Sequence, residues 1–352
     1  MIIAGVMSGS SLDGLDIAIV QFGDGYEWQM LWCKDYAYSE VWVERLKDYS
    51  KLSASDYIKL KFEYSKYIGN CLQDVLEEYG KPLDYVSFHG HTLMHLPEDE
   101  ITEQIGNGGV IAALLDIPTL TDFRIQDVIK GGVGTPLAPL VESKLFPNYD
   151  YYVNLGGIAN ITHVEDAKVR SAYDICPCNQ VLNHFANQLG QPYDKDGVIA
   201  RSGQRVLELE SVLNAMPYFA QAAPKSLDNN WIQNEFLPEF PAGTPEDLLF
   251  TYTNWMASCI ANEIPKSDKE TSLLVSGGGA HNTYFMDCLK GQLDQNNCTL
   301  VIPAKEIIDY KEAILMALMA KEYLQSKPNV FSAVTGASSN SVGGALHKVL
   351  SS

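Results

Sequence analysis

Positive charge is scarce in this chain: 352 residues carry 25 Lys and Arg against 44 Asp and Glu, a formal net charge of −19. No basic stripe is visible, so a polyanionic nucleic acid has nothing to neutralise its phosphates, and nucleic-acid partners are not expected. Small phosphates are a different matter, because backbone N–H groups and a metal ion hold them locally on an acidic protein. Long apolar runs are missing too; none approaches the ~20 residues that cross a bilayer, so no membrane partner is expected. No basic segment precedes the apolar Ile2, Ile3 and Val6, and Asp13 and Asp16 follow soon after, so no signal peptide is expected. Cysteine is sparse and odd in number at seven, which argues against a disulfide framework and for a reducing cytoplasm. Cys176 and Cys178 are the one close pair, and without a second pair zinc is not expected there.

What is present is glycine in patterned turns. Residues 2–20, IIAGVMSGSSLDGLDIAIV, read as two strands folded back through SGSSLDG. Gly9, Ser10, Ser11, Leu12, Asp13, Gly14, Leu15 and Asp16 form a concavity of N–H and hydroxyl groups suited to a phosphate. Carboxylates repel a bare phosphate, so Asp13 and Asp16 are read as serving a magnesium ion or its waters. An ordinary hairpin, with Ser and Asp as turn formers, is the alternative for this stretch alone. Residues 151–164, YYVNLGGIANITHV, repeat the pattern around Gly156 and Gly157. In LLVSGGGAHN a buried strand runs into Gly277, Gly278 and Gly279 and then a helix. Length and this half-chain repetition predict two similar domains gripping a nucleotide between them.

Other segments place the remaining chemistry. Ser53 with Asp56 resembles a capping box, and Tyr57, Leu60, Tyr64, Tyr67, Ile68, Cys71, Leu72, Val75 and Tyr79 recur on one helical face until Gly80 stops it. A strand at 84–89 leads to HGHTLMH; His89, His91 and His95 invite zinc, but histidines in such a turn often bond neighbouring backbone or line a cleft. A strand at 119–124 ends in TDFR, where the planar fork of Arg124 suits a ligand carboxylate or an ion pair with Asp122 or Asp127. GGVGTPLAP at 131–139 reads as a hinge between halves. In YDICPCN, Asp174 ends a strand and faces a cleft, before a helix near Asn179. Asp194 and Asp196 read as turn formers. A helix at 310–324 carries Glu312 near its start, where solvated glutamate is common.

The ordered set MSGSSLDGLD, HGHTLMHLP, TDFRIQDV, GGVGTPLAP, VNLGGIANIT, YDICPCN, PYDKDG and SGGGAHN resembles the anhydro-N-acetylmuramic acid kinase family, within the superfamily of sugar kinases, actin and heat-shock chaperone ATPases. The resemblance implies an α/β chain of two similar ribonuclease H-like domains, mixed sheets flanked by helices around an interdomain ATP cleft. It divides the chain into residues 1–147, joined by 326–352, and 148–325. It implies a kinase that opens 1,6-anhydro-N-acetylmuramic acid with water while O6 takes the γ-phosphoryl group of ATP, yielding N-acetylmuramic acid 6-phosphate and ADP in peptidoglycan recycling. Asp174 is then the catalytic base, and Arg124, His91 and Glu312 lie at the sugar. Gly9–Asp16, Gly156–Gly157 and Gly277–Gly279 hold ATP, with Mg²⁺ near Asp13 or Asp16, and a cytoplasmic homodimer is implied. Three stretches depart from the family pattern: His91 stands where HGQT has glutamine, Ile175, Cys176 and Cys178 replace threonine and two glycines, adding bulk near sugar or phosphate, and PKSLDNNW at 224–231 loses the charged end of PKSTGRE. A kinase of another amino sugar or hexose, or a non-enzymatic nucleotide-gated regulatory module, would share the phosphate motifs.

Overall fold

The computed structural model describes the chain except for Ser10, Ser11, Asp166, Ala167, Pro224 and residues 350–352, and describes Lys168 by its backbone. The chain divides into two compact units, one of residues 1–146 with 310–352 and the other of residues 147–309. Its strands are β1 (Ile2–Met7), β2 (Gly14–Phe22), β3 (Trp28–Ala37), β4 (Tyr85–Phe88), β5 (His91–Leu96), β6 (Ile101–Ile105), β7 (Thr119–Thr121), β8 (Tyr151–Leu155), β9 (Ile158–Glu165), β10 (Lys168–Pro177), β11 (Thr271–Ser276), β12 (Cys298–Val301) and β13 (Ala345–His347).

In the first unit the sheet runs β13-β7-β4-β1-β2-β3, and β5 pairs with β6 in a small separate sheet. β1, β2 and β3 are antiparallel, while β4 and β7 join parallel to β1. The second unit repeats this scheme as β10-β9-β8-β11-β12: three antiparallel strands, then two parallel ones. The same order in both units is the ribonuclease H-like arrangement, and helices flank both sheets. In the first unit, Leu15, Ile17 and Ile19 share one face of β2 and pack with Leu60, Tyr64, Ile68 and Leu72 of the helix Ala54–Tyr79. That helix starts where the Asp56 N–H donates to Ser53 Oγ at 3.2 Å and ends at Gly80 with φ +68°. In the second unit the helix Pro245–Asn262 buries Leu249, Tyr252, Met256 and Ile260 in one core with Val153, Leu155, Ile161 and Val275. No helix among the described residues is long and apolar enough to cross a membrane.

Three local expectations change. The strand after Ile117 stops at Thr121, because Asp122 takes a left-handed φ of +63° and Arg124 opens a short helix, Ile125–Ile129. Residues 131–139, expected at a junction between halves, lie inside the first unit: the Gly134 N–H donates to the buried Asp127 carboxylate at 2.9 Å, and the Val133 N–H donates to Thr335 O. β10 does not end at Asp174. It continues through Pro177, with Asp174 opposite Asn160 and a bulge between Asp174 and Cys176.

One glycine is dictated by close approach. A Cβ on Gly5 in β1 would overlap the Ala313 carbonyl oxygen and lie 2.8 Å from Ala317 N, both on the helix Lys305–Leu324. The same helix accepts from Ser87 of β4, whose Oγ donates to Met316 O at 2.6 Å. Gly5→Ala is therefore expected to destabilise the protein by about 1–3 kcal/mol, as overpacking against backbone does. A thermal melt that matches the parent would contradict the close approach.

Candidate functional site

In the first unit, several of the residues expected at the site gather where the parallel strands β1, β4 and β7 end, the edge at which open α/β sheets bind ligands. After β1, Ser8 Oγ lies 2.7 Å from Tyr38 Oη and 3.1 Å from His91 Nδ1. His91, expected at the sugar, is buried at 5% exposure beneath this turn, and burial holds its pKa below the ordinary imidazole value. Leu12 in the turn has φ +58°, a conformation that a leucine adopts only under constraint. Ser10 and Ser11 lie outside the described residues. Asp13 is exposed at the mouth of the turn, and Asp16 lies on β2 on the face opposite Leu15 and Ile17.

The loops after β4 and β7 meet at Arg124. Its Nε–H donates to His89 Nε2 at 3.0 Å, and His89 Nδ1 lies 2.7 Å from Gly90 O. A guanidinium only donates, so His89 Nε2 accepts and its proton sits on Nδ1, pointed at the carbonyl. Burial, reinforced by the Arg124 charge, pushes the His89 pKa down to about 3, so the ring is neutral. Burial also lowers Arg124, to about 10, while Glu312 opposes that fall. Glu312 reaches solvent, yet the protein around it raises its pKa against the pull of Lys311 and Arg124, and Asp13 adds to the rise. Arg124 and Glu312 thus feel each other's charge, and Asp13 acts on Glu312. Among the described residues no group of three His, Cys, Asp or Glu is placed to hold a metal ion.

The second unit collects its glycine turns at the matching edge. The Cys178 and Asn179 N–H groups donate to Gly157 O and Gly156 O at 2.8 and 3.1 Å, stitching that turn to the start of the helix Asn179–Gln188. Gly277, at φ +81°, leaves no room for a side chain, since a Cβ would lie 2.8 Å from Leu155 C, one residue before Gly156. A Cβ on Gly279 would lie 2.7 Å from Leu155 Cβ, whereas Gly278 has more space. Five glycines thus present backbone at one strand edge beside a helix N-terminus, an arrangement suited to phosphate and nucleotide.

Asp174 stands on β10 near the same edge. Its Oδ2 accepts from the Leu227 N–H at 2.9 Å and from Ser226 Oγ at 3.2 Å. Burial raises its pKa, and those two donors work against the rise. The bulk of Ile175, Cys176 and Cys178 does not reach a ligand as expected: all three are at most 1% exposed and belong to the core of this unit. Asp194 is a turn former, its carboxylate accepting from the Ile199 and Ala200 N–H groups.

Comparison with known proteins decides the family. The family model described as anhydro-N-acetylmuramic acid kinase matches residues 1–349. The chain belongs to the anhydro-N-acetylmuramic acid kinase family. Similar curated relatives carry that name: one from Hydrogenovibrio crunogenus is 31% identical over 97% of this chain and 96% of its own. One from Sulfurimonas denitrificans is 31% identical over 98% of each chain, and one from Mannheimia succiniciproducens is 33% identical over 95% of this chain and 96% of its own.

Within this anhydro-N-acetylmuramic acid kinase family member, two site features were not legible from the sequence. One is His89 as the acceptor that aims Arg124. The other is the contact of residues 225–227 with Asp174, across some fifty positions of chain. The HGH spacing pointed to metal or cleft lining, and only the fold shows which nitrogen faces the arginine. Proton–nitrogen correlation NMR is expected to find His89 neutral and protonated on Nδ1 from pH 8 to 5. An imidazolium within that range, or the Nε2–H tautomer, would contradict the arrangement.

Proposed function

We propose that this chain is an ATP-dependent kinase acting in cell-wall recycling, opening 1,6-anhydro-N-acetylmuramic acid with water and phosphorylating its O6. Family membership over residues 1–349 supports the reading, and the setting of Asp174 carries its chemistry. Water adds to C1 as the C1–O6 bond breaks, Asp174 takes the water's proton, and O6 takes the γ-phosphoryl group as ADP leaves. A half-buried carboxylate whose pKa is raised is a stronger base than one in water. Since it works deprotonated, activity is expected to fall as pH drops through its pKa.

Arg124 is assigned to the lactyl carboxylate of the sugar, with its orientation set by His89, and Glu312 to the sugar side. His91 contributes by bracing the turn after β1. The backbone of Gly9–Asp16, Gly156–Gly157 and Gly277–Gly279 is assigned to ATP. Asp13 and Asp16 fit magnesium, being hard oxygen donors on one turn and its following strand, and Mg²⁺ takes one or two carboxylates alongside substrate phosphates. When bound there, magnesium would neutralise charge on the phosphoryl oxygens in a loose transition state. The protein's own part is positioning. A nucleotide cleft served by the two units, a cytoplasmic location and a homodimer complete the reading.

Asp174→Asn is expected to keep ATP binding while turnover falls ~10²-fold or more, the usual span for a lost general base. Near-parental turnover would remove Asp174 from that role. In a substrate panel, ADP release is expected with 1,6-anhydro-N-acetylmuramic acid and not with N-acetylglucosamine or glucose. Preference for an ordinary hexose would indicate another sugar kinase, and ATP turnover indifferent to sugar a regulatory module.

A further inference from the structure

Residues 225–227 fasten Asp174 at its backbone and its side chain. The Asp174 N–H donates to Lys225 O at 3.2 Å, and the Tyr218 hydroxyl donates to Asp174 O at 2.8 Å. Leu227 N–H and Ser226 Oγ then both donate to Oδ2, at 2.9 and 3.2 Å. The segment is itself anchored. The Lys225 side chain is 4% exposed, and its Nζ lies 3.2 Å from Glu263 Oε1 and 5.3 Å from the centre of the Tyr218 ring. The Tyr173 hydroxyl donates to the other Glu263 oxygen at 2.9 Å.

A carboxylate with no preference between its oxygens rotates about its last torsion, and either oxygen can then face a reactant. Two donors on one oxygen remove that equivalence, and among the described residues both hydrogen bonds to the Asp174 side chain fall on Oδ2. The geometry points to Ser226 as a positioning residue: its hydroxyl, with the Leu227 N–H, holds Oδ2 so that Oδ1 takes the proton of the attacking water. This rests on Asp174 being the base. Ser226 does not touch the reacting atoms, and it acts through the aspartate alone.

The hydroxyl has a second effect. A donor to the charged form favours that form, so its removal raises the carboxyl pKa. The base is then protonated at a higher pH, and the acidic limb of activity moves upward. Other titratable groups around Asp174 are Tyr218, the Lys225–Glu263 pair and the buried Cys176 thiol on the next turn of strand. Ser226→Ala changes none of them. Asp228 follows the clamp, but its carboxylate caps the Trp231 N–H at 2.9 Å.

The test compares Ser226→Ala, Ser226→Thr and Asp174→Asn by kcat and KM across pH 5 to 9, with 1,6-anhydro-N-acetylmuramic acid and MgATP. Ser226 is exposed, so its truncation does not endanger folding. For Ser226→Ala, kcat is expected to fall about tenfold, the size of one charge-assisted hydrogen bond. Its acid-side midpoint is expected to rise by ~0.5–1 pH unit, with both KM values within about twofold. Ser226→Thr is expected to restore kcat and midpoint. An unshifted midpoint in Ser226→Ala, with Asp174→Asn inactive, overturns the clamp and leaves the base in place. An active Asp174→Asn overturns the base, and the clamp with it.

Discussion

A carboxylate partly withdrawn from water loses stabilisation that nearby donors replace, and at the candidate site of the second unit that constraint falls on the half-buried Asp174. Its strand is held between β9 and residues 225–227, so the side chain has little freedom to turn away. Burial raises the affinity for a proton, and two donors keep the charged form accessible. The balance of these effects leaves a carboxylate more basic than one in water, with its charged form still held by two donors. The core behind it serves the same end. Ile175, Cys176 and Cys178 fill the interior of the second unit, and Tyr252 ties its hydroxyl to Pro177 O at 2.7 Å. Strand β10 is thereby fixed from its buried side.

The first unit solves the converse problem, a half-buried cation that must stay directed. Arg124 loses hydration and recovers a hydrogen bond from a histidine that cannot become a competing cation. A charged imidazole would repel the guanidinium; the neutral ring accepts from it. The Gly90 carbonyl, by accepting from Nδ1, selects the tautomer that makes this possible. Ser8 and His91 do similar work under the turn after β1, where Leu12 is kept in a conformation it would not choose alone. In both units, polar side chains from separate strand ends are tied together. The requirement that buried polar groups find partners shapes the site as much as the ligand does.

Much of this was readable in the sequence, for identifiable reasons. The helix beginning at Ser53 announced itself through its cap, its apolar stripe and its closing glycine, all local signals. The glycine turns were equally local, and Gly277 shows the steric reason for one of them. Strand ends were less secure. Asp174 read as the end of its strand, because nothing in the sequence shows that β9 extends the pairing to Pro177. The glycines of 131–137 suggested a hinge, yet they wrap the buried Asp127 carboxylate, a long-range contact that composition does not encode. The departures at 175–178 looked like changes to a ligand loop and proved to be packing, since exposure is a property of the fold and not of the motif.

The central claim is that water, activated by Asp174, opens the anhydro ring in the same event that places phosphate on O6. Running the reaction in ¹⁸O-enriched water, and reading the product by mass spectrometry, tests it most directly. The account predicts one ¹⁸O in the sugar phosphate, located on the C1 hydroxyl, with none in the phosphoryl group. Label in the phosphate, or an unlabelled C1 oxygen, would contradict it.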